Sequence, residues 1–191
     1  MDETKSPINK ILLLGSTRQT GKDTLCALLT RLDSRLKRYS FADPLRDDMN
    51  CFISDRFGID IWLCTSEEKE LIRPMMIAYG MAQRKRDPNY WVKRTLYNIE
   101  GAWQHHPMMI PIITDCRFMN ELTLTKEAYP QTRFLQLFRE GAPPPTEEED
   151  RHWPEIAAKA DKILRWGENT EEERAAQAGL IYDWLKKEWS V

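Results

Sequence analysis

The sequence predicts an α/β fold in which a parallel sheet is covered by helices on both faces. Three observations predict it. Ile11-Leu12-Leu13-Leu14 is a short continuous apolar run ending at Gly15, which is how a strand buried on both faces reads. Leu25, Leu28, Leu29 and Leu32 then recur at helical spacing, so a helix follows the strand after one loop. Further strand-like runs alternate with helical stretches over the rest of the 191 residues, the pattern of a parallel sheet with crossover helices. A chain of this length suits one compact domain and can bury a core without metal or disulfide staples.

The elements follow in order. Lys37 to Phe41 is the second strand, closing at Ala42-Asp43-Pro44. Leu45 to Trp103 is mostly helical in character, with breaks near Phe57-Gly58 and at Arg86-Asp87-Pro88-Asn89; Pro74 is expected near a helix start, where its missing N–H costs little. Met108 to Thr114 is the third strand, ending in Asp115, with Pro107 and Pro111 as its weak points. Arg133 to Phe138 is the fourth. The stretch from Gly141 to Asp150, rich in proline and glutamate, has no apolar side to bury and reads as a loop. Asp161 to Trp166 is a short last strand, and Thr170 with Glu173 is spaced as the capping box of a final helix.

Composition narrows the classes. Hydrophobic residues make up 41% and charged residues 30%, with a formal net charge of −2, which is ordinary globular composition. No global basic field draws the chain to nucleic acid or anionic lipid, so a nucleic-acid partner is not expected. The apolar run at Ile11 to Leu14 is far too short to span a membrane. Cys26, Cys51, Cys64 and Cys116 are scattered without a CxxC pair, which suits reduced thiols and a cytoplasmic location. His105 and His106 are adjacent and diverge on any regular element, so a zinc site is not expected.

The strand–loop–helix junction carries the strongest chemical signal: Ser16-Thr17-Arg18-Gln19-Thr20-Gly21-Lys22-Asp23-Thr24. Cradling a polyphosphate needs inward backbone N–H groups, a helix amino terminus behind them, and a lysine for the terminal phosphates. The usual pattern is G-x-x-x-x-G-K-[ST]. Here Ser16 takes the first glycine position, with Gly15 one residue early, and Asp23 replaces the magnesium-binding hydroxyl. Asp23 is then expected to hold Mg²⁺ through water, and Thr24 to bond the α-phosphate. Ser16 is the position at which backbone strain is expected.

Other candidates lie at expected strand ends, where such folds place their sites. Asp115 closes an apolar strand and suits a carboxylate near a metal; Arg117, two residues on, suits the transferring phosphate. Asp43 is equally well read as a helix cap with Pro44 at the first helical position, or as a residue orienting an acceptor, with Arg46 on an acceptor phosphate. Arg73, Arg84, Lys85 and Arg86 are interleaved with Tyr79, Tyr90 and Trp91, a mixture that suits phosphate and base binding or a solvated basic face. Arg139 and Arg151 flank the proline-rich loop as lid arginines would, and Arg165 with Trp166 stands near the last strand, where Trp166 reads first as core.

Taken in order, these motifs resemble the deoxynucleoside monophosphate kinases of bacteriophages, within the P-loop kinases. The marks are Gly21-Lys22-Asp23-Thr24, Phe41-Ala42-Asp43-Pro44-Leu45-Arg46, Tyr79-Gly80 with Arg84, Asp87 to Val92, and Ile113 to Glu121 as the D-x-R-F-x-N-E stretch. Glu155, Asp161 and Gly167 to Thr170 look like the lid exit and last turn. The resemblance spans roughly residues 10 to 180. It implies one domain with a five-stranded parallel sheet, a helical acceptor-binding insertion at about 45–104 and a short lid at about 139–156. It also implies transfer of the γ-phosphoryl of ATP, with Mg²⁺, to a deoxynucleoside 5′-monophosphate.

On this reading Lys22 and the loop from Ser16 to Thr24 hold ATP, with Arg139 and Arg165 beside them. Asp23 and Asp115 position Mg²⁺ through water. Arg117, with Arg139 or Arg151, offsets charge on the transferring group. Arg46, Arg73 and Arg84 are the acceptor-phosphate candidates, while Asp43, Tyr79 and Trp91 shape the acceptor pocket. Ser16 and Trp153-Pro154-Glu155 depart from the family pattern, which leaves lid geometry and acceptor choice open. Two rival readings are a kinase acting on a modified nucleotide within DNA and a non-catalytic nucleotide-binding module. Dimerisation is also left open.

Overall fold

A computed structural model describes residues 10–17, 19–143, 153–167 and 169–190. Five strands, β1 (Leu12–Gly15), β2 (Leu36–Tyr39), β3 (Ile110–Cys116), β4 (Arg133–Arg139) and β5 (Lys162–Trp166), form one sheet in the order β2-β3-β1-β4-β5. Every pairing is parallel. The helices are α1 (Lys22–Leu32), α2 (Asp43–Phe57), α3 (Ser66–Arg86), α4 (Tyr90–His105), α5 (Met119–Ala128), a short α6 over 153–157, and α7 (Glu171–Trp189).

Period-two alternation divides β1 between two cores. Leu12 and Leu14 face one cluster, with Leu25 and Leu29 of α1 and Ile181 and Leu185 of α7. Ile11 and Leu13 face the other, with Val92, Leu96 and Ile99 of α4 and Leu122 of α5. This is the three-layer arrangement expected of a near-continuous apolar central strand. A third cluster, of Met49, Ile53, Ile59, Ile61 and Ile72, joins α2 to α3 away from the sheet.

Thr65 and Thr170 cap α3 and α7 with reciprocal capping boxes through Glu68 and Glu173, the second as expected from spacing. Three local expectations are corrected. Pro74 lies inside α3, because the Thr65 cap starts that helix well upstream. At α2 the cap position is Ala42, so Asp43 occupies the first turn instead of capping it. Pro111 sits within an internal strand: Ile110 N–H donates to Arg35 O on the β2 side, so Pro111 faces the β1 side, where pairing begins only at Leu12↔Ile112.

β1 and β3 pair as Leu13↔Ile113 and then as Gly15↔Cys116, so β3 carries one extra residue between these pairs. Such a bulge re-aims side chains at a site, and here it falls on Thr114-Asp115. Gly15 itself is required by packing. A Cβ there would lie 2.5 Å from Gln136 Oε1 and 2.5 Å from Phe134 Cζ, and both residues are fully buried. Gly15→Ala should therefore destabilise the fold by about 1–3 kcal/mol, an overpacking cost readable as a lowered midpoint in urea unfolding. An unchanged midpoint would show that Phe134 has room to give.

Candidate active site

Because all strands run the same way, the residues after β1, β2, β3, β4 and β5 gather at one edge of the sheet. The loop after β1 buries Ser16, Thr17 and Thr20, and Thr20 Oγ1 donates to Thr17 O at 3.1 Å, a bond that closes the turn. The left-handed backbone belongs to Gln19 (φ 57°) and Gly21 (φ 86°). The expectation of strain at Ser16 is thus corrected: Ser16 has no left-handed backbone, and the sharp bend falls on Gln19 and on the glycine just before the helix. Arg18 lies outside the described residues.

The first helical bond of α1 runs from Leu25 N–H to Gly21 O at 2.9 Å. The amides of Lys22, Asp23 and Thr24 therefore have no carbonyl one turn earlier to bind, and they point with the helix dipole toward the loop. Lys22 Nζ sits 3.0 Å from Asp23 Oδ2, with side chains 20% and 67% exposed. Two contacts brace the loop from below and beside it. Gln136 Nε2 donates to Gly15 O at 2.9 Å, and Trp166 lies under Gly21, its Nε1 3.5 Å from where a Cβ would stand. Trp166 is thus core, as its first reading has it. Arg139 Nη1 donates to Gln19 O at 3.2 Å, which places this arginine on the loop. Arg165 lies over the Phe138 ring at 4.6 Å. Arg151, and with it residues 144–152, where the sequence reading puts a loop, lie outside the described residues.

Asp115 ties β3 to the start of α2. Its Oδ2 accepts from Ser40 Oγ at 2.6 Å and Ala42 N–H at 3.1 Å, and its Oδ1 from Phe41 N–H at 2.7 Å. Asp43 accepts from Arg46 at 2.6 Å and from Arg38 at 3.1 Å. Burial foremost pushes the Asp43 carboxyl up, while Arg38 and Arg46 oppose it and Asp115 adds to it. Arg46 also stacks over Trp62.

The helices beside this edge hold the remaining candidates. Arg84 Nη2 approaches Glu121 Oε1 at 3.5 Å, and its guanidinium lies 4.5 Å from the centre of the Phe118 ring. Tyr79 donates to Asp48, and Arg94 pairs with the same carboxylate at 3.1 Å. The Trp91 ring is 3% exposed, donates to Gly80 O, and packs between Tyr79 and Tyr90, so it shapes any pocket through them. Arg73 pairs with Glu70 on its own helix; no hydrogen bond or ion pair described joins it to Asp43 or Arg46.

Glu121 is a participant that residue-by-residue reading did not single out, although it closes the D-x-R-F-x-N-E stretch. Its Oε2 accepts from Arg117 N–H at 2.7 Å and Phe118 N–H at 3.1 Å. Burial foremost, then the Asp115 charge, raises its pKa from 4.5 to about 7, against the Arg117 and Phe118 amides and Arg84. Between those values the folded chain keeps a proton that the unfolded chain has released, so stability should fall as pH rises from 4.5 to 7 and level off above. The swing is on the order of 3 kcal/mol. Urea unfolding of wild type and Glu121→Gln over that range checks it, and parallel curves would refute it.

A magnesium site made by protein alone does not fit: among the described residues no group of three or more His, Cys, Asp or Glu could hold a metal. Mg²⁺ usually takes one or two carboxylates and completes its shell with phosphates and water. An exposed Asp23 beside Lys22, and an Asp115 carboxylate with acceptor capacity beyond its three bonds, suit that mode.

No protein-family profile matches the chain. No curated protein matches it by sequence. Among solved structures, dephospho-CoA kinase from Campylobacter jejuni superposes with a TM-score of 0.51 at 13% identity, covering 94% of this chain and 98% of that one. A sugar kinase from a Janibacter species, unliganded, gives 0.48 at 16% identity over 92% and 94%. The chain therefore shares the α/β fold of that dephospho-CoA kinase, here with a five-stranded, all-parallel sheet. Among the described residues no helix is long and apolar enough to cross a membrane.

Proposed function

We propose that the chain is a phosphotransferase that moves the γ-phosphoryl group of ATP to a deoxynucleoside 5′-monophosphate, giving the diphosphate. The observation that carries this reading is Asp115, which bonds Ser40, Phe41 and Ala42 and so holds the start of α2, with Asp43 and Arg46, against the end of β3. A donor cradle at Lys22 and an acceptor side at Arg46 and Arg84 then flank one edge. In this reading the helices around residues 45–104 form the acceptor-binding insertion, and the segment around 139–156 forms the lid.

Phosphoryl transfer asks little covalent chemistry of a protein; positioning and charge neutralisation supply most of the rate. An oxygen of the acceptor phosphate attacks the γ-phosphorus, forming a P–O bond as the bond to the β–γ bridging oxygen breaks and ADP leaves with that electron pair. The acceptor phosphate is already ionised at neutral pH, so no general base is assigned. Lys22 and the amides at the start of α1 hold the β- and γ-phosphates. Arg117, with Arg139, offsets charge on the transferring group. Asp23 and Asp115 would hold Mg²⁺ through water, and the ion would supply charge neutralisation on the donor phosphates.

The deciding experiment incubates the protein with magnesium-ATP and each deoxynucleoside monophosphate, with dephospho-CoA and single- and double-stranded DNA as competing acceptors. Labelled deoxynucleoside diphosphate supports the reading. Label appearing only in DNA or in dephospho-CoA moves the acceptor class, and intact ATP binding without any transfer favours a binding module.

A further inference from the structure

The turn that begins α5 reaches in two directions. Toward the sheet, Glu121 Oε2 accepts from the backbone N–H groups of Arg117 and Phe118, which follow directly from the Asp115 end of β3. Toward the helices, Glu121 Oε1 faces Arg84 at 3.5 Å while Phe118 stacks beneath the same guanidinium at 4.5 Å. Asn120 adds a second strut, donating to Pro88 O at 2.9 Å and to Asn89 Oδ1 at 3.0 Å, at the junction of α3 and α4. Glu121 is 3% exposed, so its contacts are not diluted by water. A side chain serving only as a helix cap needs the first two bonds and not the third contact.

The geometry points to Glu121 as a positioning residue: it aims Arg84 at the acceptor phosphate and holds that arginine in register with Arg117 and the end of β3. This rests on the reading of Arg84 as an acceptor-side residue. Phe118 meets the guanidinium at its face and Glu121 meets it at Nη2, and in this reading the remaining donors of the planar fork take a phosphate. Pre-set geometry of this kind lowers the ordering cost of binding the acceptor and does nothing for ATP.

Glu121→Gln isolates the effect, because a glutamine carbonyl can still accept the two backbone N–H groups while its amide presents donors to Arg84 in place of an acceptor. The expected result is a KM for the monophosphate raised about tenfold, with the KM for ATP within about twofold. In an Arg84→Met background the same substitution should leave the acceptor KM unmoved, and Glu121→Asp should restore part of it. An acceptor KM unchanged by Glu121→Gln, or an ATP KM raised as much, overturns the inference. A second readout does not depend on turnover: the Arg84 Nε–Hε signal in ¹⁵N relaxation should show a restrained side chain in wild type and a mobile one in Glu121→Gln. If wild type phosphorylates no monophosphate, the functional reading fails, and this signal alone decides Glu121. Equal restraint in both proteins rejects the positioning role.

Discussion

Lys22→Ala should lower kcat for phosphoryl transfer on the order of 10³-fold while leaving the fold intact. The size follows from the role proposed for the lysine: a single positive charge aimed at developing phosphate charge is worth about 4 kcal/mol of barrier. Fold retention follows from what it touches. Its partner is Asp23, which is 67% exposed, and water takes over for a partner lost at that exposure. Steady-state rates with near-identical unfolding curves for the two proteins would complete the result. A variant with normal turnover would falsify the donor-site assignment.

Asp115→Ala should do the opposite in one respect, costing stability as well as rate. The carboxylate takes three hydrogen bonds from the β2–α2 junction, at 2.6, 2.7 and 3.1 Å. Removing it strands the Phe41 amide and the Ser40 hydroxyl, at roughly 1–3 kcal/mol for a buried group left unmade, while Ala42 N–H keeps Ser40 Oγ at 3.1 Å. The bonds share one acceptor and do not add, so about 2–4 kcal/mol is expected in urea unfolding. Turnover should also fall by at least about 10²-fold, since Asp43 and Arg46 lose their anchor. Asp115→Asn separates the two roles: one oxygen still accepts from Phe41 N–H, so part of the stability returns while the charge does not. Equal stability of all three proteins would mean that Asp115 does not hold α2.

Much of the architecture was legible before any coordinates. The run at Ile11 to Leu14 announces a doubly buried strand because a parallel strand lies between two helical layers and its side chains have no wet face. The capping box at Thr170 is legible because it lies within four consecutive residues and owes nothing to distant chain. Pro74 lies outside the reach of that local logic. As a start signal it yields to the Thr65 cap, which begins the helix earlier and carries it through Pro74. The α3 interior tolerates the lost bond because Ile72 beside it is packed into the α2–α3 cluster.

The loop from Ser16 to Thr24, the ends of the strands and the residue types set there are legible from sequence alone, because a strand–loop–helix unit is local chemistry. Which of those residues meet was decided by tertiary structure. The bulge between Ile113 and Cys116 and the three bonds from Asp115 bring chain 75 residues apart into contact. Glu121 became visible only when α5 was docked between Arg84 and the end of β3. Gln136, a polar residue in an apolar strand, is explained by Gly15 O on the neighbouring strand, to which its Nε2 donates at 2.9 Å. The irregularity expected at Ser16 moved to Gln19 and Gly21, because the bend must fall just before the first turn of α1, where the loop presents its amides. Hydrogen bonds of this reach depend on register and docking, and neither is written in the spacing of neighbours.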